Sequence, residues 1–188
     1  MLTQVRTLPP ALIRIVYFVH GTTTDNQDGR CTGWNPGELS DLGMRQSKEL
    51  SGQVDSSDFA VIFCSDLKRA VDSARLGFDG KVSIRQDARL RECNYGDFNG
   101  AKDEDFVKED HIDVPHPNGE SYKDVERRVR SFLDDMKHEF NGKTIALVAH
   151  QAPQLALEVI TKGKTWRQAF DEDWRKIGKW QPGWKYTF

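Results

Sequence analysis

The chain has 188 residues, 37% hydrophobic and 30% charged, with 27 basic against 29 acidic side chains and a formal net charge of −2. That length suits a single domain over residues 1–188 that buries a core without disulfides or a structural metal. The near-balanced charge lacks the basic excess of a nucleic-acid binder, and no apolar run approaches the ~18 residues of a membrane span.

Met1 to Leu12 carries only Arg6 as a charge, and the apolar run after it is too short and too β-branched for an export leader. The three cysteines, Cys31, Cys64 and Cys93, are an odd number at wide spacing. They fit neither a disulfide framework nor a zinc knuckle, so a cytoplasmic location is expected.

Residues 13–19 form a nearly continuous apolar run, as expected of a strand covered on both faces of a parallel sheet. Asp41 to Leu50 suits a short helix. Residues 59–64 repeat the strand pattern. Leu67, Ala70, Val71 and Ala74 then follow at helical spacing, with Ser65 as the expected cap and Gly77 as the expected stop. Val82 to Arg85 is a weaker strand. Asn94 to Asn118 is irregular, with two glycines, two prolines and mixed charge. It reads as a long excursion over the top of the sheet, where covers of active sites lie. Tyr122 to Phe140 traces one face of a long helix, 144–149 is a third strong strand, and Pro153 to Ile160 a further helix. A charged, Trp-rich stretch predicts a helix over Lys164 to Lys176, broken by Pro182-Gly183, with Trp166, Trp174, Trp180 and Trp184 covering the sheet edge or the last helix. Alternating strands and helices predict a three-layer α/β/α sandwich with a mostly parallel central sheet.

Two of the three strong strands end in histidine, His20 and His150. In open α/β sheets ligands bind beyond the carboxyl ends of the strands, so both histidines point to one crevice. The third strand runs into Lys68-Arg69 at the start of a helix, which places fixed positive charge beside a helix N-terminus. Glu92 precedes the irregular segment and is a candidate proton donor. Each feature alone is ordinary; a lone histidine is usually a surface or core residue, and a Lys-Arg pair is often just solvated. Together they suit phosphoryl transfer, which needs a neutral imidazole nucleophile, fixed cations for the phosphoryl oxygens and a proton for the leaving oxygen.

His111 and His116 flank Asp113 in a loop with Pro115 and Pro117. That loop lacks the helical spacing of a ligand pair, so no metal site is expected. Cys93, beside Glu92, reads as structural and partly exposed.

Residues 19–26, Val-His-Gly-Thr-Thr-Thr-Asp-Asn, resemble the signature of the histidine phosphatase superfamily, with its phosphoglycerate mutase-like fold. Further resemblances follow in family order: Gly29-Arg30 with Gly33-Trp34, Leu39 to Gly43, Ser65 to Ala70, Leu90-Arg91-Glu92 with Tyr95-Gly96-Asp97 and Gly100, Gly119-Glu120-Ser121, and Val148-Ala149-His150. The resemblance implies that His20 is the nucleophile, Glu92 the general acid, and Arg69 and His150 the phosphoryl-binding groups. It places Thr23, Asn26 and Arg30 on the substrate side. It implies no metal or cofactor and a small phosphorylated substrate; oligomeric state is not readable.

Two departures matter. The family has an arginine immediately before the nucleophilic histidine, whereas Val19 stands here, as though one Arg were missing between Val19 and His20. That loss removes a bidentate grip worth on the order of 3 kcal/mol and threatens to shift the strand end. Gln151-Ala152 stands where family members often have glycine, which narrows the pocket and offers an amide to the substrate. The expected activity is phosphomonoester hydrolysis through a phosphohistidine. The alternatives are a weakened or inactive phosphate-binding protein of the same fold, or a phosphoglycerate mutase-type phosphotransferase. The short interval from Glu92 to His150 favours hydrolysis over the mutase.

Overall fold

The computed structural model describes residues 12–178 and 181–188, so Met1 to Ala11, Lys179 and Trp180, with the expectations placed on them, lie outside the described residues. Five strands form one sheet in the order β3-β2-β4-β1-β5. They are β1 (Arg14–Val19), β2 (Phe59–Cys64), β3 (Ile84–Gln86), β4 (Thr144–Ala149) and β5 (Trp184–Thr187). Four are mutually parallel, and β5 runs antiparallel to β1. The three inner strands are the three apolar runs of the sequence. Their side chains meet protein on both faces, which is why they lack a polar alternation.

Helices α2 (Asp41–Gln53) and α3 (Lys68–Phe78) cover one face, where Phe18, Ile62, Cys64 and Val148 pack against Leu50, Val71, Ala74 and Phe78. Helices α4 (Tyr122–Glu139), α5 (Gln151–Lys162) and α6 (Trp166–Asp171) cover the other, over Ile15, Tyr17, Phe63, Ile145 and Leu147. A one-turn helix α1 (Thr24–Gln27) follows β1, and another, α7 (Trp174–Ile177), precedes β5. The result is a three-layer α/β/α sandwich. Between β3 and α4 the chain makes only short 3₁₀ turns, at Ala88–Leu90, Gly96–Phe98, Asp103–Asp105 and Lys108–His111.

The structure corrects several local readings. Leu67, not Ser65, occupies the cap position of α3, and the Ser65 hydroxyl accepts a hydrogen bond from Leu67 N instead. Gly77 lies inside α3 rather than ending it, because a β-carbon there would come within 2.9 Å of Ser47 O on α2. The expected helix over 164–176 is two helices broken at Asp173, whose buried side chain caps α7. Strand β5 went unrecognised, since Trp-Lys-Tyr-Thr is short and half polar. Cys93 is fully buried, not partly exposed.

The turn after β1 is held by a close backbone approach. A β-carbon on Gly43, in the first turn of α2, would lie 2.0 Å from Thr22 O, and one on Gly21 would lie 2.3 Å from Gly43 O. The absence of both side chains lets α2 sit directly on the segment after His20. Gly43→Ala is therefore expected to destabilise the fold by about 1–3 kcal/mol, as overpacking does. A lowered urea midpoint at unchanged slope would show it, and an unchanged midpoint would refute it.

Candidate active site

His20 and His150 are neighbours because β1 and β4 are. The strands pair in register from Arg14↔Thr144 to Val19↔Ala149 without interruption, and His20 N continues the ladder to Ala149 O at 3.0 Å. The two rings then face each other with centroids 5.0 Å apart. The Tyr17 hydroxyl ties the strand ends together, donating to His150 O at 2.6 Å and accepting from His150 N at 2.9 Å. Burial pushes the Tyr17 phenol up, so it stays protonated in that role.

His20 Nδ1 lies 2.7 Å from Gly21 O. A carbonyl only accepts, so Nδ1 carries the proton and Nε2 keeps its lone pair. Burial, and next the Arg69 guanidinium, push the His20 pKa down from 6.5 to about 3. His150 is fully buried, and its pKa is driven well down by burial and then by Arg69 and His20. Neither ring nitrogen of His150 has a hydrogen-bond partner among the described residues.

Arg69, one residue into α3, is almost wholly buried. It donates to Gly33 O at 2.7 Å and Asn35 O at 3.0 Å and has no carboxylate partner among the described residues. Its charge is thus unneutralised beside the two histidines. Glu92 caps the start of α5: Oε1 accepts from Cys93 N at 2.8 Å and Ala152 N at 3.0 Å, and Oε2 accepts from Gln151 N at 3.1 Å. Oε2 therefore retains a free lone pair toward the cavity.

His20, Arg69 and Glu92 form the floor of a cavity of about 820 Å³, lined also by Val19, Asn26, Arg30 and Gln151 among others. His150 is fully buried and is not among the lining residues. Thr23 also lies outside the lining: its hydroxyl accepts from Asn26 N at 3.0 Å as the cap of α1, and it is fully buried. Asn26 Oδ1 in turn accepts from Thr23 N at 3.1 Å, which leaves its amide nitrogen for the cavity. Arg30 reaches Gly100 O at 3.0 Å. Gln151 is held at both ends, donating to Asp173 Oδ2 at 2.6 Å and accepting from Lys108 Nζ at 3.4 Å. Its amide braces the wall instead of standing free for substrate.

The sequence pointed to the irregular segment as a cover but not to its individual wall residues. Phe106, Val107 and Lys108 line the cavity from that segment, and Trp174, Arg175 and Lys176 line it from α7. Nothing in local spacing separates Lys108 from Lys102, or Arg175 from Arg167; only tertiary closure brings them to the site. His111 and His116 stack at 3.8 Å, with His116 Nδ1 2.8 Å from Glu120 O. Among the described residues no group of three or more His, Cys, Asp or Glu is arranged to hold a metal ion. Among the same residues no helix is long and apolar enough to cross a membrane.

Both histidines hold folded pKa values below their unfolded value of 6.5. The unfolded chain takes up protons first, so their contribution to stability is complete above about pH 6.5 and is lost as the pH falls toward 3. Melting temperature should fall steadily from pH 6.5 downward, starting above the carboxylate range. His20→Asn should flatten the upper part of that fall; an equal slope in both proteins would contradict the neutral pair.

The model of the histidine phosphatase superfamily (branch 1) matches residues 16–177. The 2,3-bisphosphoglycerate-dependent phosphoglycerate mutase of Methylorubrum populi is 30% identical over 170 residues, 80% of each chain. The glucosyl-3-phosphoglycerate phosphatase of Mycobacterium tuberculosis is 33% identical over 156 residues, 73% of this chain and 70% of that one. Among solved structures, the alpha-ribazole phosphatase from Shigella flexneri superposes with a TM-score of 0.73 at 25% identity, covering 84% of both chains. With His20, the buried Arg69 and the helix-capping Glu92 on one cavity floor and the second strand-end histidine packed against His20, this chain belongs to the histidine phosphatase superfamily.

Proposed function

We propose that the chain is a single-domain phosphomonoester hydrolase that works through a phosphohistidine on a small phosphorylated substrate. The observation that carries this reading is the His20 ring, neutral, with Nδ1–H fixed on Gly21 O and Nε2 open beside Arg69. Nε2 attacks phosphorus, the P–N bond forms as the ester P–O bond breaks, and Glu92 gives its proton to the leaving oxygen. Water then attacks the phosphohistidine, Glu92 takes a proton from it, and the P–N bond breaks to return neutral His20.

The orphaned ring nitrogens of His150 support the same reading. Unpartnered buried polar atoms cost about 1–3 kcal/mol each, and the single N–H of the neutral His150 ring would find its acceptor in a phosphoryl oxygen. Arg69 supplies positive charge to the phosphoryl oxygens, and Asn26 and Arg30 face the alcohol side. With side chains as the cations, turnover of p-nitrophenyl phosphate is expected in EDTA. The buried unpaired thiols of Cys31, Cys64 and Cys93 fit the cytoplasmic location expected of such an enzyme. Relatives include both phosphatases and mutases. Net phosphate release rather than exchange between positions of a sugar acid separates hydrolysis from the mutase reading.

His20→Ala should abolish both turnover and the acid-labile, base-stable label trapped by rapid quench; wild-type turnover in that variant would end the mechanism. Glu92→Gln should slow alkyl phosphates far more than p-nitrophenyl phosphate, whose leaving group needs little protonation. Equal slowing of both would remove Glu92 as the acid.

Val19 lines the cavity floor, and the ladder around it is unbroken. The handicap in this reading is therefore a missing guanidinium rather than a misplaced strand. Val19→Arg should raise kcat/KM roughly ten- to thousandfold, by analogy with one fixed donor at a developing charge, and tighten vanadate binding. Unchanged values would mean that another cation of the cavity already fills the place.

A further inference from the structure

Besides Arg69, four cations line the cavity: Arg30, Lys108, Arg175 and Lys176. Three of them are tied to the irregular segment. Arg30 donates to Gly100 O at 3.0 Å, Lys108 Nζ lies 2.6 Å from Asp103 Oδ1, and Lys176 Nζ lies 3.0 Å from Glu109 Oε1. Arg175 is tied instead to α5, the helix that His150 caps. Its Nη2 donates to Gln154 Oε1 at 3.1 Å, one turn along that helix from His150. Its Nη1 lies 2.8 Å from Oδ1 of Asp173, whose other oxygen accepts from Gln151 at the start of the same helix. The guanidinium also lies over the Trp174 ring, with Cζ 4.5 Å from the centroid, which fixes its plane. Its side chain makes no other hydrogen bond among the described residues, so most of its N–H groups are uncommitted.

Arg175 is also the wall cation whose charge reaches the reacting histidine. Burial and then Arg69 lower the His20 pKa, and of the four wall cations Arg175 alone adds to them. It acts on His150 in the same direction, after burial, Arg69, His20 and Arg128. Arg69 comes to the floor from α3, on one face of the sheet, and Arg175 is anchored on α5, on the other. The negative charge of a phosphoryl group is spread over oxygens on every side of phosphorus. A guanidinium on one side meets only part of it, and Val19 brings no cation from the strand.

We propose that Arg175 is a catalytic residue, whose guanidinium donates to a phosphoryl oxygen from the side opposite Arg69 and takes over part of the charge that Val19 leaves out. This rests on the phosphoryl site proposed above. The replacement is partial, because Asp173 draws on the same guanidinium, so an arginine at position 19 still adds to it.

Vanadate binding to the full chain, read by titration calorimetry without turnover, tests the proposal in a double-mutant cycle of Arg175→Gln and Val19→Arg. With Val19 in place, Arg175→Gln is expected to weaken binding about tenfold or more, as loss of a hydrogen bond to a charged group does. In the Val19→Arg protein the same change is expected to cost roughly threefold or less, because residues that share a ligand do not contribute additively. Equal losses in the two backgrounds, or none in either, overturn the proposal. Melting temperature reports that each variant is folded. Arg175→Lys keeps a cation beside Asp173 and serves if the glutamine variant unfolds. Lysine lacks the planar fork that engages Asp173, Gln154 and an anion at once, so binding should again weaken severalfold, and wild-type affinity in that variant overturns the proposal as well. The two readings fail separately. Coupling between positions 175 and 19 without a phosphohistidine sinks only the hydrolase, and a phosphohistidine without that coupling sinks only the role of Arg175.

Discussion

The carboxylate of Glu92 is the junction on which the site depends. Its oxygens accept three backbone N–H groups, two of them from the first turn of α5, whose N–H groups have no partner within the helix. His150 is the cap residue of that helix, so fixing Glu92 on the helix also fixes it relative to the second histidine. The main chain of Glu92 is held from two further directions. Trp34 Nε1 donates to its carbonyl at 2.7 Å, and Arg128 of α4 donates to it at 2.9 Å while pairing with Glu120. Four segments far apart in sequence therefore meet at Glu92, whose side chain and main chain are both held by hydrogen bonds.

The floor is arranged to keep charge off the histidines and concentrate it on the incoming anion. Burial in a sheet crevice removes the water that would solvate an imidazolium, and Arg69 adds repulsion against it. The same guanidinium is held by protein carbonyls alone and keeps its charge free for an anion. The neutral imidazoles and the electropositive pocket thus have one cause.

The sheet and its cover were legible because they depend on composition along short stretches. Apolar runs at 13–19, 59–64 and 144–149 have one stable placement in a chain of alternating elements, and strand ends carry the chemistry on such sheets. The long helix was legible because Tyr122 to Met136 repeats at helical spacing over many turns. What escaped detection depends on partners that have no local signature. Strand β5 is defined by the edge of β1 that it pairs with. Gly77 looked like a terminator because its close approach to Ser47 belongs to another helix. Thr23 looked like a substrate contact, yet its hydroxyl is consumed by the cap of α1, a competition between local backbone and ligand that sequence spacing does not resolve.

The division between floor and wall follows from how each is built. The floor comes from strand ends and helix starts, whose positions the sheet register dictates. The walls come from 3₁₀ turns and from the short α7, where no register constrains the side chains. Asp173 joins the two. Fully buried, it accepts from Gln151 at the start of α5 and from both the backbone and the guanidinium of Arg175. Lys108 approaches the same Gln151 from the irregular segment, and Lys176 reaches back to Glu109. The walls are thereby latched to the helix that carries Glu92's cap, through polar groups that are nearly all satisfied. Val107 and Phe106 line the cavity but take no part in that latch. Changes at Asp173 loosen wall and floor together, because a buried carboxylate that loses its partners, or a partner that loses the carboxylate, leaves an uncompensated polar group beside the reacting centre.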